Sequence, residues 1–178
     1  MCEIITLMEY MHRFQKINGF IKRVSLKQIL LLALVLRLLW YLFIFFTNPD
    51  GFWLYDSYGY WNIAYNVKEY GIFSRDEMEP LLPDYFRTPL YPLLILPTIF
   101  FDINGYTIPL IQIILDCFTC WLIYKIVIEL SKKENYAKLA SLTYALHIPA
   151  IAFSNFVLTE SVFAFLITLF MFALSKIL

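Results

Sequence analysis

From Leu26 to Thr47 the chain is an almost unbroken apolar run, interrupted only by Lys27, Gln28 and Arg37. A run of about twenty apolar residues spans the hydrocarbon core of a bilayer as a helix. Within lipid it has little choice of structure, because every backbone N–H and C=O must be satisfied inside the segment. Three further segments carry the same signal. They are Tyr106–Ile128, interrupted by Gln112, Asp116 and Lys125; Leu139–Ser154, which contains His147-Ile148-Pro149; and Ser161–Leu178, with Lys176 near its end. The chain is 61% hydrophobic and 19% aromatic, above the ~45–50% apolar content of soluble domains. The expected fold class is therefore an all-α integral membrane protein with about four transmembrane helices. The first run is too long for a cleaved signal peptide and no small-residue cleavage site follows it, so it reads as an anchor.

The basic residues set an orientation. Residues 1–25 form a basic arm with Arg13, Lys16, Lys22 and Arg23, and Lys27 follows it. Residues 129–138 carry Lys132, Lys133 and Lys138. Both stretches are expected on the cytoplasmic side of a plasma (inner) membrane or its equivalent. Within the long loop 48–105, residues 48–87 carry Asp50, Asp56, Glu69, Asp76, Glu77, Glu79 and Asp84 against Lys68, Arg75 and Arg87. That loop is expected outside, together with the short turn 155–160. Net charge is zero; no basic footprint points to nucleic acid, and no nucleic-acid partner is expected.

The long loop is too aromatic for a disordered linker. Residues 56–70 read as a helix, with Asp56 as N-cap and Gly71 as its stop. Tyr60, Ile63, Val67 and Tyr70 share one stripe, with Asn62, Asn66 and Glu69 largely elsewhere. This pattern suits a helix lying in the membrane interface. Pro89, Pro92 and Pro97 punctuate the apolar stretch 90–101, which reads as a second interfacial or partly re-entrant helix. Phe101-Asp102-Ile103-Asn104-Gly105 reads as a turn.

Two external carboxylates are candidates for chemistry. Asp56 either caps its helix or acts as a general base or metal ligand at the membrane surface, and the roles are compatible because a cap uses one oxygen. Glu160 either favours the dipole of the fourth span or faces the same outer cavity. Arg87, just before the chain re-enters the membrane, suits a phosphate, whether of bulk lipid or of a specific ligand. Arg37 and Asp116 are charges inside predicted spans, each roughly 15 Å from the outer end of its helix at ~1.5 Å per residue. Isolated charges at that depth are costly, so the two are expected to pair as a structural contact fixing helix register. Cys2, Cys117 and Cys120 define no disulfide framework, and the Cys117/Cys120 spacing inside an apolar span reads as small packing residues. His147 beside Pro149 reads as a polar group at a kink.

The order of motifs resembles a family. It runs Leu36-Arg37-Leu38-Leu39-Trp40, Tyr55-Asp56-Ser57-Tyr58, Gly71-Ile72-Phe73-Ser74, Phe86-Arg87-Thr88-Pro89-Leu90-Tyr91-Pro92, Gln112, and Leu158-Thr159-Glu160-Ser161. From Leu30 onward this resembles the N-terminal part of GT-C-fold membrane glycosyltransferases, in particular the protein mannosyltransferase and aminoarabinose transferase relatives. The resemblance implies an enzyme that moves a sugar from a polyprenyl- or dolichyl-phosphate donor to an acceptor on the non-cytoplasmic face, with inversion. It implies Asp56 as the base or its equivalent and Glu160 as a second acid. Arg87, Tyr91, Tyr55 and Tyr58 are the expected substrate contacts. A divalent cation, Mg or Mn, serves some members, and Asp56 is where it would be held. Such enzymes have more spans than the four expected here, so the chain is expected to be an incomplete module: a fragment, a truncated product or one part of a split enzyme.

Two rival readings stand beside it. One is a non-catalytic four-span membrane protein that binds lipid-linked glycan or serves as a partner subunit. The other is a transporter or flippase fragment, for which only Arg37 and Asp116 speak, since transporters place their polar groups near the midplane.

Overall fold

The computed structural model describes residues 19, 21–101 and 103–177. Most of the basic arm, including Arg13 and Lys16, lies outside these, as do Cys2, Asp102 and Leu178. The described residues are all helix and loop, with no strand among them. Helix α1 spans Leu26–Thr47 and α2 Tyr55–Tyr70; α3 spans Leu90–Phe100 and α4 Thr107–Ser131; α5 spans Glu134–Ala145, α6 Ile148–Phe153 and α7 Glu160–Ser175. Two of them, α1 and α4, are long and apolar enough to cross a membrane.

Helix α1 opens with a capping box: Ser25 Oγ accepts from the Gln28 backbone N–H, and the Gln28 side chain accepts from Ser25 N–H. That pairing satisfies two of the donors a helix start leaves unpaired. Its buried residues Ile29, Ala33, Arg37 and Ile44 follow a helical period and face α4 and α5. Leu31, Leu39, Phe43 and Phe46 face outward. An apolar outer face of this kind is costly in water and neutral in lipid.

The segment expected as a third span is not one helix. It divides at Leu146–His147 into α5 and α6, and α5 already begins at Glu134. Pro149 explains the break: it has no N–H to donate to the Ala145 carbonyl one turn back, and its ring crowds that carbonyl, whereas the first turn of α6 tolerates it. Helix α7 is 16 residues long, shorter than a straight crossing requires. It packs against α4 and runs parallel to it, because Lys176 after α7 bonds Glu129 near the end of α4 at 2.7 Å. Lys132 joins the same Glu129 at 3.2 Å. The two lysines hold the Glu129 carboxyl below its ordinary range through these hydrogen bonds.

Inside this bundle Arg37 is fully buried and its Nε donates to Asp116 Oδ2. Arg37 Nη1 donates to the carbonyls of Ala33 at 3.0 Å and Ala145 at 3.2 Å. Tyr144 donates to the other Asp116 oxygen at 2.6 Å. The Ala145 carbonyl is free for Arg37 because α5 ends there. The guanidinium thus stabilises the helix break as well as the pairing of α1 with α4. Cys117 and Cys120 are free thiols. Cys120 exchanges hydrogen bonds with Ser141 on α5, so its role is packing between helices.

A second cluster of buried residues joins the loop to the bundle: Phe52, Tyr60, Ala64, Tyr91, Ile95, Ile108 and Val157. Val157 N–H donates to the Phe52 carbonyl at 2.9 Å, tying the turn before α7 to the start of the loop. Gly105 allows a close approach here: a Cβ would lie 2.7 Å from the Trp53 ring.

Candidate functional site

Asp56 is not the cap of α2. The helix starts one residue earlier, with Leu54 as N-cap. Leucine has no side-chain acceptor, so the cap is one-sided: Ser57 Oγ accepts from Leu54 N–H at 2.9 Å. Asp56 instead occupies the first turn, where the positive helix end favours a carboxylate, and its oxygens are left for other partners. Gly71 ends the helix in the left-handed conformation at φ 68°, as the sequence led us to expect. The buried face of α2 is Ser57, Tyr60, Ile63, Ala64 and Asn66. Tyr70, expected on that stripe, is exposed. Asn66, expected elsewhere, is buried because its amide donates to the carbonyls of Ser74 at 2.8 Å and Asp76 at 2.9 Å.

Those two bonds begin a chain that shapes the irregular segment 72–88. Asp76 Oδ2 accepts from Leu82 N–H at 2.8 Å. Asp84 N–H donates to the Phe73 carbonyl at 2.7 Å. Asp84 Oδ1 accepts from Phe86 N–H at 2.7 Å and Arg87 N–H at 3.0 Å, an aspartate turn of the ordinary kind. The result delivers Arg87 to the start of α2. Arg87 Nη2 donates to Asp56 Oδ1 at 2.6 Å, and its guanidinium carbon lies 4.7 Å from the centre of the Tyr60 ring. The bond to Asp56 raises the Arg87 pKa, against the partial burial that would lower it.

Tyr91 stands beside them on α3. Its ring meets Tyr60 edge to face at 4.9 Å, and its buried hydroxyl donates to Gln112 Oε1 on α4. Gln112 Nε2 in turn donates to the Phe156 carbonyl at 2.6 Å, ahead of α7. Burial pushes the Tyr91 hydroxyl pKa well up, and the charges of Tyr60 and Glu160 add to the shift. Glu160 itself is exposed on the first turn of α7.

Tyr60, Arg87 and Tyr91 border a cavity of about 640 Å³, and Asp56, Gln112 and Glu160 are not among its lining residues. Arg75, Arg87, Thr88 and Thr159 supply polar groups, Tyr60, Phe86 and Tyr91 aromatic walls, and Leu90, Val162, Phe163 and Leu166 an apolar side. Thr159, Val162, Phe163 and Leu166 fall at i, i+3, i+4 and i+7, one face of α7. The cavity therefore brings two arginines and two threonines together with a hydrocarbon stripe on α7.

Of the site residues expected from sequence, Arg87 and Tyr91 line the cavity, and Asp56 reaches it through Arg87. Tyr55 is 94% exposed, and Tyr58 meets Trp53 at a tilt with ring centres 5.8 Å apart; neither lines it. Tyr60, Arg75 and Asp84 were not singled out from sequence as site residues. The Asp84-to-Arg87 spacing was the one local signal for them, since aspartate commonly accepts from backbone N–H groups two or three residues on. As for a metal, no group of three or more His, Cys, Asp or Glu converges among the described residues. The guanidinium on Asp56 Oδ1 also repels a cation there. No family model matches the sequence, and no curated protein or solved structure matches it.

Proposed function

We propose that this chain is the N-terminal module of a membrane glycosyltransferase that takes its sugar from a polyprenyl- or dolichyl-phosphate donor. The observation that carries the reading is one cavity lined both by Arg87, which is paired with Asp56, and by an apolar stripe on α7. A prenyl phosphate has the same two parts: a charged head that suits guanidinium groups and a chain that suits Leu90, Val162, Phe163 and Leu166. The proposed topology has four spans, with α5–α6 as a broken third and α7 as a fourth, the basic end cytoplasmic and the 48–105 loop external. The Glu129–Lys132–Lys176 cluster supports it by placing the basic ends of α4 and α7 at one level.

In the proposed reaction the acceptor oxygen attacks the anomeric carbon as the bond to the lipid phosphate oxygen breaks, with inversion. Asp56 takes the acceptor proton through the oxygen not held by Arg87. Arg87 and Arg75 stabilise the charge left on the phosphate. Glu160, next in sequence to the lining residue Thr159, is the second acid of the proposal. Polar groups near the midplane would favour a transporter, but both Asp116 oxygens are taken up by Arg37 and Tyr144, and Arg37 Nε and Nη1 by Asp116 and two carbonyls, leaving Nη2 as the one unbonded nitrogen of that guanidinium. The test is Asp56→Asn in the full natural reading frame. Transfer should be abolished with membrane expression unchanged; retained transfer removes Asp56 from the chemistry.

A further inference from the structure

Asp84 carries a carboxylate whose side chain is only 2% exposed. A charge so buried needs strong compensation. Its Oδ1 accepts from the backbone N–H groups of Phe86 and Arg87. Its Oδ2 has no hydrogen-bond partner but lies 3.3 Å from Arg75 Nε. Arg75 also rests on the face of Phe86, its guanidinium carbon 5.9 Å from the ring centre. One side chain therefore touches both arginines of the cavity, one through its backbone and the other through its charge. Asp84 itself does not line the cavity.

We propose that Asp84 is a positioning residue for anion binding: it aims Arg75 and Arg87 into the cavity as a pair. This rests on the lipid-phosphate reading above. An aspartate suits the task better than asparagine. Both accept from two backbone N–H groups, but only the carboxylate attracts Arg75. Its orphan oxygen has a physical account on this view. The ion pair with Arg75 is kept loose enough for that guanidinium to turn toward a bound phosphate.

The experiment measures binding of radiolabelled farnesyl phosphate and of farnesol to the purified full chain in detergent. The wild type should prefer the phosphate. Asp84→Ala should lose about tenfold in affinity for farnesyl phosphate, the scale of a charge-assisted contact, and nothing for farnesol. Asp84→Asn should lose only about two- to threefold, because its amide oxygen still accepts from Phe86 and Arg87. Equal losses for both ligands would mean a merely structural role and overturn the proposal, as would unchanged phosphate binding in Asp84→Ala. A wild type that does not prefer the phosphate would sink the lipid-phosphate reading itself, and this inference with it. Should Asp84→Ala fail to fold, Arg75→Gln decides. Its effect on phosphate affinity should shrink in an Asp84→Asn background, and equal effects in both backgrounds would overturn the coupling.

Discussion

Replacing Arg37 with Gln removes the ion pair to Asp116 and the bonds to the carbonyls of Ala33 and Ala145. Asp116 is then left buried with the Tyr144 hydroxyl as its remaining partner. Replacing Asp116 with Asn keeps an oxygen for Tyr144 but strands the Arg37 charge. Breaking a buried pair from one side costs ~3–5 kcal/mol, mostly as the penalty on the charge left behind. Each single variant should therefore lose a large part of a typical domain's ~5–15 kcal/mol. The double variant leaves no orphaned charge. Its loss should be close to that of the worse single, giving an interaction energy as large as the smaller single loss, on the order of 3–5 kcal/mol. Thermal unfolding in detergent, followed by tryptophan fluorescence, measures all four corners of the cycle. Additivity within ~0.5 kcal/mol would refute the pairing, and with it the view that this cluster locks the α5–α6 break.

Three other outcomes follow from the site. Tyr91→Phe leaves Gln112 Oε1 without its donor and should cost ~1–2 kcal/mol in denaturation midpoint measurements. The same variant tests a pH effect. Tyr91's folded pKa is raised by burial, so its contribution is complete below the ordinary tyrosine pKa of ~10 and is lost as pH rises through the folded value. Alkaline unfolding should accordingly be shallower in Tyr91→Phe than in wild type. Gly105→Ala drives a methyl into the Trp53 ring and should destabilise the loop by ~1–3 kcal/mol, seen as faster proteolysis between residues 72 and 88.

Hydropathy alone located α1 and α4, because long apolar runs have one solution in lipid. The Arg37–Asp116 contact was legible from matching depth along two helices, since a buried charge demands a partner. The break at His147 was foreshadowed by Pro149, but the start of α5 at Glu134 was not. Its first turn is polar and carries no hydropathy signal. The cap of α2 was misplaced by two residues: Leu54 holds the position, with its N–H bonded by Ser57, and Asp56 falls in the first turn. That small shift matters, since it frees the carboxylate for Arg87. The convergence of Asp56, Arg87, Tyr60 and Tyr91 was beyond sequence reasoning. It depends on how Asn66, Asp76 and Asp84 fold an irregular segment, and such bonds leave no periodic trace.

The central claim is sugar transfer from a lipid phosphate, so the decisive assay is transfer itself. Membranes carrying this chain, alone and extended to the end of its natural reading frame, would be given a radiolabelled polyprenyl-phosphate sugar. The account predicts a glycosylated product with inverted anomeric configuration, lost in Arg87→Ala. No transfer from either form, with both folded and inserted, would contradict it and leave a lipid-glycan-binding membrane protein as the better description.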